Sequence, residues 1–135
     1  MCGLIGYFQT KKEYFVQENI TKFNKLLNKL DCRGPDSKKY YVDSEKKFYL
    51  GHTRLSIVDL SQRSNQPISS QNKNFIMVFN GEIYNHTELY NRIAHLNISE
   101  DIKNSDTQTL LEHISYFGLS ETLKIVNGMF AIGLY

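Results

Sequence analysis

The run of five apolar residues from Phe75 to Phe79 constrains the fold more than any other stretch of this chain. A strand with one face in solvent alternates apolar and polar residues, and this run does not alternate. It therefore predicts a central strand that is buried on both faces. Asn80-Gly81-Glu82 follows directly, so a polar segment is expected at the end of that strand.

Four further stretches have the composition of strands: residues 3–9, 39–43, 47–52 and 129–135. The first and last of them are apolar and aromatic, so both are expected to be buried. The middle two flank Asp43-Ser44-Glu45, whose polar residues favour a hairpin turn. The chain stops inside the last strand pattern, and we interpret it as a fragment of something longer.

Two helices are predicted from apolar spacing and capping signals. Residues 16–30 have apolar side chains every three or four positions, with lysines elsewhere around the helix. A second helix is expected over about His86 to His95, because Asn85 and Glu88 have the spacing of an N-cap and its third-position partner.

A third helix is predicted after Ser105, which stands three residues before Gln108 and repeats the capping-box spacing. Gly118 is a suitable residue to end this helix, because glycine tolerates the backbone angles of a C-terminal cap. A short helical piece over residues 120–125 is expected to follow.

The composition excludes several classes of protein. Lys and Arg total 16 against 14 Asp and Glu, and no basic run is present, so neither nucleic acid nor a membrane surface is an expected partner. Cys2 and Cys32 are the two cysteines and have no spacing typical of metal ligands, so no metal site is predicted. Without a signal-peptide or membrane-span pattern, a reducing cytoplasm and no disulfide are expected.

Cys2 is the strongest candidate for chemistry. Methionine is removed before small residues, so Met1-Cys2-Gly3 can yield a protein that begins with Cys2. That residue would carry both a nucleophilic thiol and a free α-amine, whose pKa of about 8 suits proton transfer near neutral pH. The alternative is that Cys2 is simply the residue after the initiator.

Other motifs also have a structural and a functional interpretation. Arg33-Gly34-Pro35-Asp36 contains two strong turn formers and is open to interpretation as a surface turn. Asn80-Gly81 is a common hairpin signal. Arg54 is either a surface arginine or a binding residue at a strand end, and Asp106 suits the first turn of a helix in any case. The four histidines are interpreted as structural or surface residues.

Six ordered blocks resemble one family. They are Cys2-Gly3, Arg33-Gly34-Pro35-Asp36, the segment from Gly51 to Asp59, the segment from Asn80 to His86, Ser105-Asp106-Thr107, and Gly128-Met129-Phe130-Ala131. In this order they resemble the glutamine amidotransferase domain of glutamine-hydrolysing asparagine synthetases. Those domains are class II amidotransferases and belong to the N-terminal nucleophile hydrolases.

The resemblance implies an α+β fold with two stacked antiparallel sheets between helix layers, over residues 1–135 and lacking the last strands of the domain. It implies hydrolysis of glutamine to glutamate and ammonia. A C-terminal synthetase domain, absent here, would be the partner that consumes the ammonia with ATP and magnesium, so no cofactor is expected in this domain. The ammonia acceptor and the oligomeric state stay open, with a homodimer among the options.

The resemblance also implies roles for individual residues. Cys2 would be the nucleophile, and the Asn80 side chain and Gly81 N–H would stabilise the oxyanion. Arg54 would hold the α-carboxylate of glutamine and Asp106 its α-ammonium group. Glu82, Ile57 and Val58 are further candidates for the substrate pocket. Cys32 departs from the family pattern, in which histidine is frequent at that position.

Two rival interpretations remain at this stage. One is a non-catalytic regulatory or interaction module that keeps the amidotransferase fold. The other is a hydrolase of a different amide, although Arg54 and Asp106 together match a free amino acid.

Overall fold

The computed structural model describes residues 2–10, 16–45, 47–55 and 65–135. The strands in these ranges are β1 (Gly3–Phe8), β2 (Ser37–Asp43), β3 (Phe48–Arg54), β4 (Ile68–Ser69), β5 (Ile76–Ile83) and β6 (Gly128–Leu134). The α-helices are α1 (Val16–Asn28), α2 (His86–Ile93), α3 (Asp106–Phe117) and α4 (Leu119–Leu123), and a short 3-10 helix spans Glu100–Asn104. The strands form two three-stranded sheets, in the orders β1-β3-β2 and β4-β5-β6. The predicted α+β class is therefore confirmed.

Two compact units divide the chain. The first consists of Met1–Pro67 and Val78–Asn80, and the second of Ile68–Met77 and Gly81–Tyr135. The division falls within β5, whose three middle residues group with the first unit.

The first unit is built on the antiparallel sheet with β3 at its centre. Gly3 pairs with Thr53 on one side of β3, and Ser37 pairs with Arg54 on the other. Every residue of β3 from Tyr49 to Arg54 is buried, as expected for a central strand. The predicted hairpin is confirmed, and its strands extend two residues further at the open end because the ladder continues that far.

Helix α1 covers one face of this sheet through Phe23 and Leu27, which pack with Tyr49 in a buried cluster. Burying a side chain of this size contributes roughly 1.5 to 3 kcal/mol. The helix ends at Asn28, two residues earlier than predicted, because the last turn tightens into bonds of the i to i+3 type, such as Leu30 N–H to Leu27 O. Leu26 faces outward and is exposed.

The prediction of a fully buried first strand is wrong. Among the strands that the structure describes, β1 has β3 as its one partner and lies at the edge of the sheet. Its side chains are mostly half-buried, and Phe8 is 60% exposed. An apolar run does not by itself distinguish an edge strand from a central one, because the position in the sheet depends on distant partners.

Strand β5 occupies the centre of the second sheet, as its apolar run predicts. Met77, Val78 and Phe79 are buried. The strand continues through Asn80-Gly81 to Ile83, and its pairing with β6 continues to Tyr84, whose N–H donates to Asn127 O. The interpretation of Asn80-Gly81 as a hairpin turn is therefore wrong. Strand β6 is an outer strand of the sheet and is half-exposed, which contradicts its predicted burial.

Three helices of the second unit confirm most of the predicted signals. The Ser105 side chain accepts a hydrogen bond from the Gln108 N–H at the start of α3, as the capping spacing predicts. Gly118 ends α3 with a φ of 82°, which favours glycine. Helices α2 and α3 pack against each other, and the side chains of Ile93, Leu110 and Ile114 are fully buried.

The capping prediction for α2 is confirmed in part. Asn85 stands at the N-cap position and its side-chain amide donates to the Glu88 carboxylate at 3.3 Å, but its side chain accepts no backbone N–H of the first turn. Its side-chain oxygen accepts from the Asn127 N–H at 2.8 Å, and its amide donates to Ile125 O at 2.9 Å. Asn85 therefore fastens the segment before β6 to the start of α2.

Candidate active site

Cys2 is held by contacts to its sulfur and its carbonyl. It lies one residue before β1, so the Gly3–Thr53 pair fixes the chain beside it. The Leu55 N–H donates to Sγ across 3.5 Å, and the Arg33 Nε–H donates to the Cys2 carbonyl oxygen at 3.1 Å. Position and orientation of a nucleophile control its rate of attack, so a fixed sulfur suits nucleophilic chemistry.

Arg33-Gly34-Pro35-Asp36 forms a turn that packs tightly against the end of β3. A Cβ atom at Gly34 would lie 2.4 Å from the carbonyl carbon of Thr53, so only glycine fits. The Asp36 N–H donates to Arg54 O at 2.9 Å. The interpretation as a simple surface turn is incomplete, because this turn places Arg33 on the backbone of Cys2. Sequence reasoning missed that role of Arg33.

Arg54 is the last residue of β3 and is only 8% exposed, so it is not a surface arginine. Its Nη1 donates to the side-chain oxygen of Asn65 at 3.1 Å. A buried guanidinium requires hydrogen-bond acceptors for its donors. This environment is compatible with a carboxylate-binding arginine.

The backbone of Phe79, directly before Asn80, is bound by two buried side chains. Its N–H donates to Gln66 Oε1 at 2.5 Å, and its carbonyl oxygen lies 3.1 Å from His52 Nε2. Gln66 lies in the loop before β4, and its contact to Phe79 was not predicted from the sequence. No local signal marks it, because 13 residues separate the two partners.

His52 is almost fully buried in β3, so it is not a surface residue. Burial lowers the pKa of its imidazole to about 4, since the charged form loses its hydration, and the nearby Arg54 charge acts in the same direction. The ring is therefore neutral near pH 7. Its contact with a carbonyl oxygen means that Nε2 carries the proton and donates.

Gly81 and Glu82 lie in the second unit. Gly81 has a φ of 150°, and a Cβ atom there would lie 2.2 Å from Met129 O, so the close approach of β6 requires glycine. Glu82 is exposed, as an accessible pocket residue would be.

Asp106, also in the second unit, already has a structural role. Its Oδ2 accepts from the Ile83 N–H at 3.0 Å, and its Oδ1 accepts from the Thr107 N–H at 2.6 Å. These bonds join the end of β5 to the start of α3, where the helix dipole favours a negative charge. A carboxylate offers about four acceptor positions, so further acceptor capacity remains for a ligand.

Of the predicted site residues, Cys2, Arg54 and Asn80 belong to the first unit, whereas Gly81, Glu82 and Asp106 belong to the second. Ile57 and Val58 lie outside the described residues, as does Met1. Within the described ranges, no group of three or more potential ligand side chains could hold a metal ion. No helix in the described part of the chain combines the length and apolar character that crossing a membrane requires.

Comparison with known proteins matches residues 1–135 to the family described as the glutamine amidotransferase domain. Asparagine synthetase (glutamine-hydrolyzing) 1 of Bacillus subtilis is 34% identical over 97% of the chain and 20% of its own length. Asparagine synthetase B of Escherichia coli is 34% identical over 100% of the chain, and the match spans 23% of its own length. Amidase chry2 of Gibberella zeae is 32% identical over 86% of the chain, and the match spans 17% of its own length.

The chain thus spans about a fifth of the length of these relatives. The family match covers every residue, and the two asparagine synthetases align with nearly the whole chain. These findings confirm the resemblance drawn from the six sequence blocks. The chain belongs to the family of glutamine amidotransferase domains.

Proposed function

We propose that this chain hydrolyses the side-chain amide of glutamine, with Cys2 as the nucleophile, and supplies ammonia for an amidation. The main support is the environment of Cys2 in a chain of this family. Its sulfur receives the Leu55 N–H and its carbonyl receives the Arg33 side chain.

The reaction starts once Met1 is removed, because a peptide bond at Cys2 would abolish the basicity of its nitrogen. The α-amine takes the thiol proton, and the thiolate attacks the amide carbon of glutamine. The carbon–nitrogen bond breaks, the amine returns the proton to the departing ammonia, and a thioester remains. Water then hydrolyses the thioester to glutamate and restores the thiol.

The proposed binding roles follow the family pattern. Asn80 and Gly81 supply two N–H donors to the oxyanion, and one such donor is worth roughly 100-fold to 1000-fold in rate. Among the described residues, none hydrogen-bonds to the side-chain amide of Asn80. Arg54 binds the α-carboxylate and Asp106 the α-ammonium group. Glu82 and, outside the described residues, Ile57 and Val58 complete the pocket.

The stacked-sheet arrangement of the N-terminal nucleophile hydrolases is part of the same proposal. So is the fate of the ammonia, which a synthetase domain of the complete protein would use with ATP and magnesium. Asparagine is the proposed product, since two of the relatives above are named asparagine synthetases. Amidation of a different acceptor is the main competitor for the fate of the ammonia.

The test uses intact mass and turnover together. We expect the processed protein to gain one adduct from diazo-oxo-norleucine, a glutamine-like electrophile, at Cys2, and excess glutamine to prevent the labelling. Cys2→Ala should abolish glutamate release. Cys32→Ala is the matched control, because Cys32 is exposed and its thiol hydrogen-bonds to the Lys29 carbonyl oxygen, away from the contacts of Cys2.

Each alternative has a distinct outcome. Glutamine binding without turnover by the processed parent would favour a non-catalytic module. Turnover of a simple amide at a rate equal to that of glutamine would favour a hydrolase of a different amide. Glutaminase activity that survives Cys2→Ala would refute the assignment of the nucleophile.

A further inference from the structure

The peptide of Phe79 has an unusual environment for a residue in the middle of a sheet strand. Strand β4 pairs with β5 at Ile76 and Met77. Two residues further along, at Phe79, the partners are the side chains of Gln66 and His52 instead. Gln66 is 8% exposed and His52 is 1% exposed, so both hydrogen bonds lie in the interior.

We propose that His52 and Gln66 are positioning residues for the oxyanion site, acting by holding the Phe79 peptide from which the Asn80 backbone continues. This inference rests on the proposed function, because it concerns the placement of a catalytic donor. Neither side chain is itself a catalytic residue. Each acts through the backbone.

The need for such a support follows from the geometry of oxyanion stabilisation. A donor has to lie about 2.7 to 3.1 Å from the developing charge, and a displacement of about 1 Å forfeits much of its effect. The Asn80 side chain has no hydrogen bond to another described residue that would orient it. The backbone that carries this side chain is held one residue earlier, at Phe79.

The two bonds fix complementary groups of one residue. His52 donates to the carbonyl that forms the peptide bond with Asn80, so it acts on the nearer group. Gln66 accepts from the N–H on the other side of the Phe79 Cα atom. Holding both groups limits rotation of the Phe79 backbone about φ and ψ, which a single bond would not do. Burial keeps the imidazole neutral near pH 7, so it donates through one defined nitrogen.

The first experiment compares His52→Met with His52→Gln in the complete, processed protein. Glutamine keeps an N–H donor at a position similar to Nε2, whereas methionine has a similar length and no donor. We expect His52→Met to lower kcat for glutamine hydrolysis roughly 10-fold to 100-fold, below the full value of one oxyanion donor. KM should change less than about twofold because the donor acts on the transition state. His52→Gln should restore most of kcat.

A double-mutant cycle with Asn80→Ala separates positioning from general damage. If His52 acts through Asn80, His52→Met will have no further effect on kcat once the Asn80 amide is absent. The proposal would be overturned if His52→Met lowered kcat by the same factor in the parent and in Asn80→Ala. A parent-like kcat in His52→Met would also overturn it.

A second pair of variants keeps the test decisive if His52→Met does not fold. Gln66→Met removes the acceptor for the Phe79 N–H, and Gln66→Glu retains one at the same chain length. We expect Gln66→Met to lower kcat as His52→Met does, and Gln66→Glu to restore most of kcat. Gln66→Met should have no further effect on kcat in the Asn80→Ala background. A parent that does not turn over glutamine would refute the proposed function and the inference together, whereas an active parent with unaffected variants would refute the inference alone.

Discussion

Acid should destabilise this protein through His52, and the effect can be calculated from its environment. Burial lowers the pKa of the folded imidazole to about 4, against 6.5 for the free side chain. The unfolded chain therefore binds the proton first as the pH falls. The contribution of His52 to the free energy of unfolding is fully present above pH 6.5 and is lost between pH 6.5 and 4. It changes no further at lower pH.

The expected magnitude follows from the separation of the two pKa values. Between them, each pH unit costs about 1.4 kcal/mol of unfolding free energy. At pH 4.5 the sum is about 2.5 kcal/mol, a large fraction of the stability of a small protein. Burial also lowers the pKa of His113, so acid destabilises the protein through this group too. Burial raises the pKa of Glu112, so its contribution to stability increases as the pH falls.

The assay isolates His52 by difference. Urea unfolding of the parent and of His52→Gln is measured at several pH values from 7.5 to 4.5, and the two free energies are subtracted. The other titrating groups are common to both proteins and cancel. We expect the parent to lose about 2.5 kcal/mol relative to the variant over this range. A difference that stays constant with pH would show that the buried imidazole is not held neutral, and would refute the reasoning.

Two further predictions concern the turn before β2 and the carboxylate of α3. Gly34→Ala should cost about 3 kcal/mol or more, because its Cβ would meet Thr53 O at 2.4 Å and strands cannot yield as side chains do. Gly6→Ala, whose nearest atom would be 3.7 Å away, is the control and should stay within about 0.5 kcal/mol in urea unfolding. Equal stabilities of the two variants would contradict the close packing. Asp106→Asn should lose about 1 to 2 kcal/mol, since a charged acceptor for the Ile83 N–H becomes a neutral one, and should raise KM for glutamine. An unchanged KM with the expected loss of stability would restrict Asp106 to its structural role.

Local patterns predicted the elements whose signals lie within a few residues. The apolar run in β5, the Ser105 cap and the Gly118 helix end are of this kind, and all three are confirmed. Each depends on burial or hydrogen bonds between near neighbours in the chain. The family resemblance added the candidate site residues, which local patterns alone could not assign.

The failures involve partners that are far apart in sequence. Strand β1 is half-exposed because of its place in the sheet order, which no residue within it encodes. The Asn85 side chain binds the backbone of residues 125 and 127 instead of capping a backbone N–H of its own helix, because that donor and acceptor lie within reach. The contacts of Arg33 with Cys2 and of His52 with Phe79 span 31 and 27 residues. Hydrogen bonds of this range arise only when the fold brings the partners together.

The ladder between β1 and β3 sets the distance from the core to the chain's second residue. Six consecutive pairs, from Gly3–Thr53 to Phe8–Phe48, define that distance. Each strand residue advances the chain by about 3.3 Å and reverses the side on which the next side chain projects. A deletion or insertion of one residue within β1 would therefore move the thiol by about 3.3 Å or turn it to the opposite face of the sheet. The number of residues from Cys2 to the end of β1 is thus constrained, independent of the side chains in between.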